Sequence, residues 1–193
     1  MFTWVVLLPN HLLFQKNISL GNSFNLFIWS RNFLNSTLSK SKRFSTYRIL
    51  PYKKSLIFSV ISDIDSYSAF LPYCLASKVT KRDKNGLPQT ADLRIGWKNY
   101  DEIFSSKISY VSHDYIIANA SNNQLFQKLQ ATWSLKDIQT TEKLEEKTKI
   151  SLILDFKFSN PLYTIISMTV MPRISTLIIT AFENRIKQIE KIN

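Results

Sequence analysis

Asp63 and Asp65 are two carboxylates two residues apart, and a close carboxylate pair is an arrangement that raises one pKa and lets the pair work as general acid and base. Their neighbours argue for a different role. Asp and Ser leave helical geometry readily by bonding their own backbone, so Asp63-Ile64-Asp65-Ser66 reads as a helix cap and turn. His113 lies in a second turn signal, Ser112-His113-Asp114, and the other histidine, His11, lies near the N-terminus. No His pair, His-carboxylate relay or metal cluster can be assembled from these residues, so neither a catalytic residue nor a metal is expected. Cys74 is the lone cysteine. It excludes an internal disulfide and a Cys-based zinc site, and it reads as a small buried side chain.

The remaining chemistry is apolar or basic. Trp97, Tyr100, Trp133, Phe156 and Phe158 could fill a core or line a ligand tunnel, and spacing alone does not choose between the two. Met168 and Met171 are flexible enough to adapt to a guest and are equally ordinary core filler. Lys53, Lys54, Lys78, Lys81, Arg82, Lys84 and Lys98 read as a solvated face that could also meet an anionic membrane surface.

The elements that must position these residues are organised around the C-terminal stretch. Asn160 can cap a helix and Pro161 suits its first position. Leu162, Ile165, Ile166, Thr169, Val170, Ile174, Leu177, Ile178, Ala181, Phe182, Ile186 and Ile189 then recur at steps of three and four, which predicts a helix ending near Ile192. At ~1.5 Å per residue it would run some 50 Å. Its first half is apolar almost all round, so something apolar must surround it. Pro172 lacks an amide hydrogen and crowds the carbonyl of Met168, which predicts a kink.

Upstream, Thr46 to Leu50 reads as a short strand ended by Pro51. Tyr52 to Ile64 reads as a helix with Leu56, Ile57, Val60, Ile61 and Ile64 on one face. Beyond Pro72 the period changes to two. Leu75 and Val79 are expected to face inward, Asn85-Gly86 marks a reversal, and Ala91, Leu93, Ile95 and Trp97 alternate with polar residues. Strands follow over Tyr100 to Val111, Tyr115 to Ala120, around Leu129, Ala131, Trp133 and Leu135, and through Leu152, Leu154, Phe156 and Phe158. No strand-helix alternation occurs after residue 72, which argues against a parallel doubly wound sheet. The fold class is α+β: a curved antiparallel sheet of about seven strands wrapped around the long C-terminal helix.

The chain has 193 residues with 45% hydrophobic and 13% aromatic content, enough for one substantial core. Its net charge is +11, yet no acid occurs before Asp63. Lys16, Arg31, Lys40, Lys42 and Arg43 lie in residues 1–45 among Asn, Ser, Phe and Leu, leaving 20 basic against 14 acidic residues in the rest. A basic, hydroxyl-rich, acid-free segment is the composition of a mitochondrial presequence, and Lys42-Arg43-Phe44-Ser45 looks like its processing site. Residues 1–45 are thus expected to be a presequence and 46–193 the domain. A secretory signal is disfavoured because no basic residue precedes the first apolar run and Pro9-Asn10 interrupts it.

Several pieces also carry a resemblance. Tyr47-Arg48-Ile49-Leu50-Pro51-Tyr52, Val60 to Asp63-Ile64-Asp65-Ser66-Tyr67, and Phe70-Leu71-Pro72-Tyr73-Cys74 with Val79 resemble the opening of the mitochondrial coenzyme Q-binding START-like family. Leu93-Arg94-Ile95-Gly96, Leu125-Phe126 with Leu129, Trp133, Asp155-Phe156 with Phe158, and Ala181-Phe182-Glu183 with Arg185 continue it. The departures are Ser68 where Pro is common, Tyr73 where Trp is common, and Pro172 in a helix usually continuous.

The resemblance implies a helix-grip fold whose hydrophobic tunnel binds a polyprenyl benzoquinone, coenzyme Q, as ligand and not as a catalytic cofactor. It implies a non-enzymatic carrier or chaperone supporting respiration and quinone biosynthesis. Its place would be the inner mitochondrial membrane, peripheral on the matrix side, with quinone-biosynthetic and respiratory complexes as partners. Phe70, Leu71 and Tyr73 would then form the mouth with the Gly96 to Asp101 turn. Leu75, Val79, Leu93, Ile95, Trp97, Tyr100, Trp133, Phe156, Phe158, Ile165, Met168 and Met171 would line the tunnel. Tyr100, Trp97 or Arg94 would donate to quinone oxygens, and Lys53, Lys54 and Lys98 would face the membrane. Two other classes compete. A ribosome- or RNA-associated protein of similar fold would use the positive charge, although no dense Arg run or stacking motif is present. A polyketide-cyclase-like enzyme shares the fold but needs an acid-base pair that is not visible here.

Overall fold

The computed structural model describes residues 41–97, 100–120, 124–138, 146–159 and 161–192, with the backbone alone for 97, 100 and 161–170. The chain order is β1 (Lys42–Leu50), α1 (Lys54–Ser62), a 3₁₀ helix (Ile64–Ala69), β2 (Cys74–Arg82), β3 (Pro88–Trp97), β4 (Tyr100–Val111), β5 (Tyr115–Ala120), β6 (Phe126–Ile138), β7 (Lys147–Phe158) and α2 (Pro161–Glu190). The strands form one curved antiparallel sheet in the order β1-β7-β6-β5-β4-β3-β2, and α2 packs against β1, β7 and α1. Only β1 is out of sequence in the sheet, which brings the N-terminal strand beside the last one.

Alternation places Leu152, Leu154 and Phe156 of β7, Trp133 and Leu135 of β6, and Ile116 of β5 on the dry face. Ile179, Phe182 and Ile186, spaced three and four apart on α2, bury against it. Removing such side chains from water, at ~25 cal/mol per Å² of apolar surface, is what holds the helix to the sheet.

Three local features depart from the sequence expectations, and a fourth concerns Pro172. First, β1 starts at Lys42, ahead of Thr46, and pairs with β7 from Lys42 opposite Phe156 to Leu50 opposite Thr148. Second, Leu75 does not face inward but is 56% exposed. The ladder runs from Cys74 opposite Ile95 directly to Ala76 opposite Arg94, so Leu75 is the extra residue of a bulge, and the period-two count fails there. Third, α1 ends at Ser62 and a separate 3₁₀ helix follows, with Asp63 between the two. Fourth, α2 is continuous through Pro172, whose ring is exposed; the Pro172 carbonyl accepts hydrogen bonds from Ser175 Oγ at 2.9 Å and Thr176 Oγ1 at 3.0 Å. Asn160 lies outside the described residues.

Candidate functional site

Between α2 and the sheet lies an apolar cavity of about 150 Å³. Ile178 and Phe182 of α2 cover it, Ile61 and Ile64 close one side with Tyr67, and Leu71 stands at its edge. Its existence follows from side-chain size. Ala91, Ser106, Ala118 and Ala131 occupy dry-face positions on β3, β4, β5 and β6, where larger residues would fill the space. They are neighbours across the sheet, Ala91 opposite Ser106 and Ala118 opposite Ala131. Leu93, Ile108, Ile116, Trp133, Leu152 and Leu154 complete the wall.

Among the described residues the lining contains no Asp, Glu, His, Lys or Arg. Its hydroxyl groups are those of Ser106 and Tyr67, and the Tyr67 hydroxyl donates to the carbonyl of Ile61. Burial raises the Tyr67 pKa, so this phenol stays neutral and structural. Such a lining suits a long apolar guest that asks for few directional contacts.

The edge of the cavity is built by the turn after the 3₁₀ helix. Leu71 N–H donates to Tyr67 O at 2.8 Å, Cys74 N–H donates to Leu71 O at 3.2 Å, and Gly96 N–H donates to Tyr73 O at 2.9 Å. Tyr73 has φ of 67°, a left-handed conformation that side chains other than glycine adopt rarely. Asp65 anchors the preceding helix to β2: its carboxylate accepts from Val79 N–H at 2.6 Å and from Arg82 Nη2 at 2.6 Å. Asp65 therefore organises backbone, the Asp63 side chain makes no cap hydrogen bond, and neither carboxylate lines the cavity.

Of the residues singled out in the sequence, Leu71, Leu93 and Trp133 line the cavity. Phe70 lies just outside it, edge-on to Phe182 and Tyr67 at 5.1 and 5.7 Å. Tyr73 is 47% exposed beside Leu75. Val79 and Ile95 are partly buried against the core and do not touch the cavity. Phe156 is core, stacked on Phe44 at 5.8 Å, with Phe158 in the same aromatic cluster at 5.4 Å. Met171 is buried outside the lining. The side chains of Trp97, Tyr100, Ile165 and Met168, and the whole of Lys98, lie outside the described residues. Ser106 and Ala118 also line the cavity, and their one signal in the sequence is small size at the inward parity of adjacent strands.

Charged residues lie elsewhere. Arg94 turns away from the cavity to Asp101, with Nε to Oδ1 at 2.7 Å, and this hydrogen bond holds the Asp101 carboxyl below the usual range. Arg94 is thus paired on the surface and outside the lining of the cavity. Lys54 bridges Asp114 at 2.9 Å and Asp137 at 3.0 Å, and these bonds raise its pKa. Lys53 approaches Glu146 at 3.6 Å. Burial pushes the Cys74 thiol pKa up, which keeps it protonated and unreactive. Among the described residues no group of three His, Cys, Asp or Glu could hold a metal ion, and no helix is long and apolar enough to cross a membrane.

Residues 50–183 match the protein family described as polyketide cyclase / dehydrase and lipid transport. The chain is 34% identical over 153 residues to the mitochondrial coenzyme Q-binding protein coq10 of Schizosaccharomyces pombe, covering 78% of this chain and 90% of that one. It is 26% identical over 151 residues to the ribosome association toxin RatA of Rickettsia prowazekii, covering 77% and 98%. Among solved structures, the Zhui aromatase/cyclase from Streptomyces superposes with a TM-score of 0.66 at 11% identity, covering 77% and 95%, a likeness of fold alone. With the sheet, its long covering helix and the matched residues together, the chain belongs to the Coq10 family of START-like proteins.

Proposed function

We propose that the chain binds a polyprenyl benzoquinone of the coenzyme Q type between α2 and the sheet, and carries it without chemical change. The observation that supports this most is a cavity lined, among the described residues, by apolar side chains without Asp, Glu, His, Lys or Arg, in a chain whose relatives are named coenzyme Q-binding proteins. Each methylene withdrawn from water contributes ~0.8 kcal/mol, so a polyprenyl tail needs apolar length more than directional bonds. Ser106 Oγ and Trp133 Nε1 make no side-chain hydrogen bond among the described residues, and they are the donors assigned to a quinone oxygen.

The resting cavity, about 150 Å³, is smaller than the ~300–1,000 Å³ of ordinary ligand pockets. Admission of a whole guest therefore requires the Phe70-to-Tyr73 turn to move away from Phe182. Residues ahead of β1 act in this reading as the mitochondrial import signal, as the relatives' names suggest. In this reading the cut is placed ahead of β1, which keeps Arg43 paired with Asp155 and Phe44 stacked on Phe156. Attachment to the inner membrane on its matrix side and exchange with quinone-handling complexes complete the carrier reading.

The test is to purify the full chain, extract its lipids and identify quinone by its redox-sensitive absorbance, then offer quinone in detergent to the stripped protein. Bound or acquired quinone is expected. Protein that carries none and takes up none contradicts carriage, and copurifying ribosomal RNA in its place supports the role named for the Rickettsia relative.

A further inference from the structure

A second hollow, about 330 Å³, opens on the outside of the molecule between the Phe70-Pro72 turn and α2. Leu177, Ala181, Arg185 and Gln188 recur along one face of that helix and form one side of it with Asn184. Among the described residues no Asp or Glu lines it. The Arg185 guanidinium lies 5.8 Å from the centroid of the Phe70 ring. Its Nε is buried without a hydrogen-bond partner, and Arg185 makes no ion pair among the described residues. Its neighbours differ: Arg48 and Lys187 share Glu183, at 3.6 and 2.7 Å.

A planar guanidinium fork held on an aromatic face matches the paired oxygens of a phosphate. The Asn184 and Gln188 amides supply further donors at the same place. Beside them are apolar surfaces that a free phosphate would not use: Phe70 and Pro72 in the wall, Leu177 at 40% exposure, and the exposed Tyr73 and Leu75 that follow in the chain. We propose that this hollow docks the phosphodiester of an anionic phospholipid, with Arg185 as the fork that holds it.

The docking stands whatever fills the inner cavity. Its consequence rests on the quinone reading: Phe70 forms part of the hollow while Leu71 beside it edges the cavity, so the docked headgroup sets the mouth against the bilayer.

The experiment is cosedimentation of the full chain with vesicles of phosphatidylcholine alone or of equimolar phosphatidylcholine and phosphatidylglycerol. Arg185→Gln is expected to weaken binding to the anionic vesicles by about tenfold, and Arg185→Lys to restore part of it. Lys191→Gln, which removes the same charge outside the hollow, is expected to change binding by about twofold or less. Gln188 is exposed, so Gln188→Glu keeps the fold while setting a carboxylate in the hollow, and it should also abolish the preference for anionic vesicles. Equal losses for Arg185→Gln and Lys191→Gln would mean diffuse attraction and overturn the proposal, as would no loss in Arg185→Gln. Displacement of the vesicles by millimolar inorganic phosphate would overturn the assignment to a lipid. Quinone uptake from detergent micelles, measured on the same proteins, separates the two readings: Arg185-dependent docking without any uptake removes the quinone and leaves the lipid site standing.

Discussion

Asp155 is the buried charged side chain among the described residues, and Arg43 holds it through two bonds, Nε to Oδ1 and Nη2 to Oδ2, each 2.9 Å. The hydrogen bond from Arg43 lowers the Asp155 pKa. The sign is that of a carboxyl depressed on folding: its contribution is full above the unfolded aspartate range and is lost as pH falls through the folded value. Asp155→Asn should therefore lower the midpoint of urea unfolding at neutral pH, with the gap from wild type closing below about pH 4. A gap that stays constant down to acid pH would show that the carboxylate charge is not what matters there. The same pair explains why the start of β1 was illegible. Lys42-Arg43-Phe44-Ser45 has the residue types of a cleavage site, and only the partner strand reveals that Arg43 has a carboxylate to meet and Phe44 a ring to stack on.

At the level of elements, the strands and α2 were legible because alternation and the three-four spacing report directly which face is dry. Leu75 was not, because a bulge adds one residue without any mark in local hydrophobicity. The turn at the cavity edge is held by a staple from Asp65 to Val79 N–H and Arg82. Asp65→Ala should cost about 1 kcal/mol and raise hydrogen exchange at the amides of 66–74 ahead of those in β6 and β7. Unchanged exchange in that turn would mean the staple does not hold it. Leu71→Lys places an ammonium at the cavity edge, where it can reach water by its flexible stem. It is expected to block quinone uptake while leaving thermal unfolding within a few degrees of wild type. Normal uptake would move the mouth elsewhere.

For the molecule as a whole, the fold class could be read from the change of period after Pro72, and the family from the order of short matches along the chain. The cavity itself could not. A void is a tertiary property, set by which small residues come opposite one another, and Ala118 and Ala131 look no different from core residues until the register of β5 on β6 brings them together. The aromatics that drew attention divide accordingly: Trp133 edges the void, whereas Phe156 fills the core beside Phe44.

That void is also the centre of the functional account, and Ala131→Leu tests it by adding three carbons to its wall. Overpacking of this kind costs about 1–3 kcal/mol where there is no space and less where a cavity receives it, so the folded protein should survive. Quinone retained after gel filtration should be near one equivalent for wild type and close to none for Ala131→Leu. Equal retention by the two proteins would place the guest somewhere other than between helix and sheet.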